Sequence, residues 1–171
     1  MEEIIVAIRT FMEAGGQVLY LIAGATFFMW AVICERYWFI RTEHRKDVGA
    51  ALEYWEGRPE RKSWTARLIR ERLISEVNER LKANMGVIKT LIALLPLLGL
   101  LGTVTGMVSV FEAMTYSGGN ARSMAAGVSM ATIPTMSGMV ATLSGVLANT
   151  FLVSKVEAES NFLEDTLTAD H

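Results

Sequence analysis

The 32 residues from Ser123 to Ser154 contain no charged side chain. A helix this long and apolar crosses a bilayer, for which about 20 residues suffice. A segment serving only as a lipid anchor would consist mainly of Leu, Ile, Val and Phe. This one also holds Thr132, Thr135, Ser137, Thr142, Ser144, Asn149 and Thr150, with glycines at 127, 138 and 145. Such a stripe of small and hydroxylated residues suits packing against other helices or facing a wet path.

Two further charge-free windows, Ala14 to Cys34 and Thr90 to Phe111, are long enough to cross. The expected fold is therefore all-α, an integral membrane protein with three transmembrane helices. With 51% hydrophobic residues and a mean hydropathy of +0.33, the composition agrees. The charge is unevenly spread. Glu35 to Lys89 carries 13 of the 16 basic residues against 9 acidic ones, which marks a cytoplasmic loop by the positive-inside rule. Three crossings then give N-out and C-in. The predicted order is an outer-surface amphipathic helix over 1–16, a first span over 17–40, a cytoplasmic helical loop over 41–86, and a second span over 87–111. A short outer loop over 112–122, a third span over 123–154 and a cytoplasmic tail over 155–171 complete the chain.

Met1, Ile4, Ile5, Ile8, Phe11 and Met12 recur at three and four, with Glu2, Glu3, Arg9 and Glu13 on the other face, which makes residues 1–13 an amphipathic surface helix ending at Gly15-Gly16. The acidic start argues against a signal peptide. In the loop, Gly57 and Pro59 divide one helix, continuing the first span to about Glu56, from another that runs without a breaker into the second span. Long helices thus extend into the cytoplasm, and their amphipathic faces suit an antiparallel stalk. Alternating loop charges suit solvated ion pairs, not nucleic acid. Arg36, Arg41 and Lys89 are placed for attraction to the leaflet, with Trp30, Tyr37 and Trp38 as an aromatic belt. Cys34 is expected to be a packing residue. His44 and His171, in polar surroundings, have no ligand spacing around them, so neither a metal nor any other cofactor is expected.

The second span places Pro96, Gly99, Thr103 and Gly106 on one face, and Gly102 with Gly106 adds a small-xxx-small pair. In the third, Gly127, Ala131, Thr135, Gly138, Thr142, Gly145 and Asn149 step by three and four. The glycines are candidates for close helix packing, Pro96 and Pro134 for kinks, and Thr103, Thr135, Thr142 and Asn149 for a pore lining or proton path. Taken singly, these hydroxyls equally fit helices that bond back to their own carbonyls.

The stretch Gly99-Leu-Leu-Gly-Thr-Val-Thr-Gly106, the loop ending in Asn120-Ala-Arg-Ser, the third span through Thr135 and Gly138, and the Glu35-Arg36 pair resemble the MotA/TolQ/ExbB proton channel family. Within it the likeness is to the ExbB branch, and the chain is similar to the short second member found with an additional TonB system. The resemblance implies a homopentamer in the bacterial inner membrane, so that 112–122 is periplasmic. Its second and third spans would line a pore, with family pore threonines at Thr103 and Thr135. Implied partners are an ExbD-type single-span protein carrying a membrane aspartate, and a TonB-type protein. Many members have a glutamate where this chain has Met130. Independently of the family, no ionisable residue lies within Thr90 to Phe111 or Ser123 to Ser154, and membrane proton relays use ionisable groups. The expected role is a pore-forming subunit that supplies the wall but not the acid, powering TonB-dependent transport. Alternatives are a Tol-type energiser with another client and a non-conducting oligomeric scaffold. An enzyme is not expected, because the spans hold no paired carboxylates and no Ser/His pair.

Overall fold

The computed structural model describes residues 2–60, 63–117 and 121–167, which form six helices and, among these residues, no strand. They are α1 Glu2–Ala14, α2 Gly16–Thr42, α3 His44–Glu56, α4 Trp64–Lys82, α5 Met85–Ser117 and α6 Ala121–Thr166. Asn120, part of the loop motif, and His171 lie outside the described residues. Three stretches, within Gly16–Glu56, Trp64–Thr115 and Met130–Thr166, are long and apolar enough to cross a membrane. The chain is thus an all-helical membrane protein.

The helix boundaries follow local chemistry. Gly16 has φ +64, a conformation open to glycine, and separates α1 from α2 where the Gly15-Gly16 pair was expected to. Glu43 keeps helical angles, so α2 and α3 are separated by a single turn residue. The unbroken helix expected from the loop into the second span does not form. Ala83 is extended at ψ 146 and Asn84 adopts φ 61, a left-handed conformation that Asn tolerates better than most residues. The start of α4 is capped by the Ser63 hydroxyl, which accepts from the Ala66 N–H at 3.2 Å.

Two compact units share these helices. One comprises Met1–Trp30 and Lys89–Leu147, the other Ala31–Ile88 and Ala148–His171. In the first, Leu19, Ile22, Met29, Leu95, Ala131 and Pro134 are buried. The second is built on α3 and α4, which run antiparallel. Asp47 at the start of α3 meets Arg80 near the end of α4 at 3.4 Å, while Trp55 shares a core with Ala66 near the other ends. A two-helix stalk was expected, but Leu163 and Leu167, at and just beyond the C-terminal end of α6, enter the same core. Arg70 of α4 donates from Nη2 to the Glu164 carbonyl at 2.8 Å and from Nε to that of Leu167, satisfying acceptors at a helix C-terminus.

Three further expectations are corrected here. Arg36 is buried, not reaching for the leaflet: it pairs with the Glu35 carboxylate, donates to the Arg80 carbonyl at 3.2 Å and lies over the Phe39 ring. Cys34 is exposed on α2, not packed. His44, whose surroundings looked polar, is 1% exposed, with both ring nitrogens lacking a hydrogen-bond partner among the described residues and Nε2 3.7 Å from Glu159 Oε2. Burial holds the imidazole below its ordinary range, against the opposing pull of Glu159 and Asp47.

Two outcomes are expected. Leu163→Ala should cost about 2–5 kcal/mol of the second unit's stability, seen as a lowered melting temperature. Because the unfolded chain protonates His44 more readily, stability is fully present above about pH 6.5 and is lost as pH falls through and below it. His44→Leu should flatten the change in melting temperature between about pH 7.5 and 5.5, and an unchanged slope would refute the assignment.

Candidate functional site

In the first unit the seams of α5 and α6 face each other within a single chain. A Cβ built on Gly99 would stand 3.0 Å from Thr135 Cα and 3.2 Å from the Pro134 carbonyl oxygen. On Gly106 it would lie 2.7 Å from Ala131 Cβ, and on Gly138 2.7 Å from the Leu95 carbonyl oxygen. The Pro134 ring sits over Gly102, Val110 lies against Gly127, and Met29 Sδ would be 2.6 Å from a Cβ at Gly145. Gly99, Gly106 and Gly138 let one backbone touch the other, while Gly102, Gly127 and Gly145 make room for side chains. Pro96 and Pro134 both stand inside their helices.

The hydroxyls divide by what they bond. Thr103 Oγ1 donates to the Leu100 carbonyl at 2.7 Å and Thr142 Oγ1 to that of Gly138 at 2.7 Å, each on its own helix. Ser137 and Ser144 bond back in the same way. Thr135 instead crosses the seam, donating to the Gly99 carbonyl on α5 at 2.8 Å. Thr103, Thr135 and Thr142 are all partly buried. Asn149 belongs to the second unit, where its Oδ1 is buried without a hydrogen-bond partner among the described residues. The structure therefore brings Thr135 to Gly99 in the first unit.

Thr105 was not among the expected site residues. Its hydroxyl is shared between the Leu101 and Gly102 carbonyls at 3.0 and 3.1 Å, and with Glu13, Gln17 and Ser109 it lines a cavity of about 470 Å³ in the first unit. The repeated threonine in Gly102-Thr-Val-Thr-Gly106 was the available signal.

Chemically, a hydroxyl whose proton is donated to a carbonyl keeps lone pairs that can accept from water. Passing a proton on requires that donor bond to be released. The seam can therefore order water, but nothing in either charge-free segment can load and hold a proton. The outward faces are apolar: Leu97, Val104, Met136, Val140 and Leu143 are all more than half exposed in the single chain.

A model of the MotA/TolQ/ExbB proton channel family matches residues 40–165. A Synechocystis protein described as an ExbB-like biopolymer transport protein is 37% identical over 94 residues, covering 53% of this chain and 37% of that relative. The match thus spans well under two thirds of the relative's length.

Gly138→Ala should weaken the α5–α6 pair by about 1–3 kcal/mol, because the methyl would meet a backbone oxygen that cannot swing aside. Gly49→Ala, on α3 with nothing within 4 Å, should be neutral or stabilising by up to about 1 kcal/mol. Comparing melting temperatures of the two variants in one detergent checks both.

Proposed function

The chain belongs to the MotA/TolQ/ExbB proton channel family, and on that premise we propose that it forms the pore of an inner-membrane complex of ExbB–ExbD type, driven by the proton-motive force and powering TonB-dependent outer-membrane transport. The subunit assembles as a homopentamer with its N-terminus out and C-terminus in, and α5 and α6 of each copy make the wall. Thr103, Thr135 and Thr142 order water along it, with Asn149 towards the inner end.

The observation that carries this reading is the pairing of hydroxyls with a complete absence of ionisable groups in the second and third charge-free segments. A wall of this kind guides water without trapping a proton. The titrating acid then belongs to another chain, a single-span partner with a membrane aspartate. Each proton crossing about 100 mV releases roughly 2.3 kcal/mol, so mechanical work on a TonB-type client draws on several. The back-bonded hydroxyls of Thr103 and Thr142, and the Thr135 bond that links the helices, would equally suit a non-conducting scaffold, so removal of the Thr135 hydroxyl is what tests between the two readings.

Thr135→Val keeps the shape and removes the hydroxyl's bond to the Gly99 carbonyl, which lies inside α5, at a cost of about 0.5–1.5 kcal/mol. In cells that depend on this chain and its partner, TonB-dependent uptake should fall about tenfold or more with the cross-linked oligomer intact, and Thr135→Ser should restore it. Normal uptake by the valine variant removes the hydroxyl from the mechanism.

A further inference from the structure

In the second unit, Arg41 of α2, Arg45 of α3 and Lys155 of α6 converge with Ile40 and Glu159 on a cleft of about 290 Å³. Three cations thus face one carboxylate. Among the described residues none of the three makes an ion pair within 4 Å, although Arg9, Arg36, Lys46 and Arg80 all do. The one acid is turned to another group, with Glu159 Oε2 3.7 Å from His44 Nε2. Unneutralised positive charge from three helices in one concavity calls for an anion.

The surroundings identify it. Lys155 directly follows the charge-free run that ends at Ser154, and its Nζ lies 4.9 Å from the centre of the Tyr37 ring. Trp38, 72% exposed, adds a second amphipathic ring on α2, and both ring types favour the headgroup level of a membrane. Arg41 is seven residues beyond Cys34, about 10 Å along the helix, from where a long side chain can snorkel back to that level. A free phosphate would have no use for the rings, whereas the phosphodiester of a lipid carries acyl chains that would lie along them.

We propose that this cleft holds the phosphate of an anionic phospholipid, tying α2, α3 and α6 together at the membrane interface. The site does not depend on the pore reading.

Native mass spectrometry of the full chain, delipidated and titrated with phosphatidylglycerol or phosphatidylcholine, tests the assignment. Phosphatidylglycerol should bind in preference, and Arg41→Gln/Arg45→Gln/Lys155→Gln should weaken it on the order of a hundredfold, about fivefold per charge. Arg67→Gln/Arg72→Gln/Lys82→Gln removes equal charge elsewhere and should leave the affinity unchanged. Melting in phosphatidylcholine checks that the triple variants fold; should the first not fold, Lys155→Gln alone should still show the fivefold loss. Equal phosphatidylglycerol affinity in the cleft variant and the wild type would overturn the proposal. So would displacement of the lipid by millimolar inorganic phosphate, which would make free phosphate the ligand.

Discussion

Lipid tails are as apolar as leucine, so two apolar helices gain little by leaving lipid for each other, and only closeness can hold α5 against α6. Closeness is what the glycines supply. With no Cβ at Gly99, Gly106 or Gly138, the backbone of one helix reaches the backbone or the Cβ of the other, and dispersion contacts accumulate along the seam. The Thr135 hydroxyl then closes on the Gly99 carbonyl, a bond that no longer side chain between the helices would permit. What the other faces of these two spans meet depends on this contact, because it fixes which face of each helix is left over. That remaining face is where Leu97, Val104 and Val140 stand exposed.

The three spans were legible because the absence of charge over twenty or more residues has one cheap physical solution, and the seams because small residues at three-and-four spacing share a helix face. Which partner a seam meets was not legible. Spacing assigns residues to a face but does not say whether a sister helix or water lies opposite, so Thr103, Thr135 and Thr142 looked equivalent. The structure separates them by the carbonyl each one reaches. The left-handed turn at Asn84 was missed for a different reason: Asn favours caps and turns over helix interiors, but one Asn with Gly86 two residues on is a weak signal beside the helical spacing on either side. Arg36 and His44 were misplaced because residue type predicts solvent for both. Their burial comes from residues distant in sequence, Arg80 and Glu159, which no local pattern reveals.

The two units handle polarity differently. In the charge-free parts of α5 and α6 in the first, the polar groups are mainly hydroxyls bonded back to their own helix, which suits a segment surrounded by hydrocarbon. In the second, Arg36, Arg70 and Arg80 are held by partners across helices, around a core of Trp55, Ala66, Val77 and Leu163. That core resembles the interior of a water-soluble bundle, where burial of apolar surface supplies the drive that lipid withholds.

The contribution of α6 to that bundle has a consequence for the order of events during synthesis. Arg70 waits for carbonyls 94 and 97 residues further along the chain, and Leu163 and Leu167 emerge equally late. At about 5–20 residues per second, the apolar sides of α3 and α4 stand uncovered for roughly 5–20 s after they leave the ribosome. During that interval two membrane segments have still to be inserted. The paired helices are therefore a vulnerable intermediate, open to capture by a chaperone or by another nascent copy until the last helix closes over them.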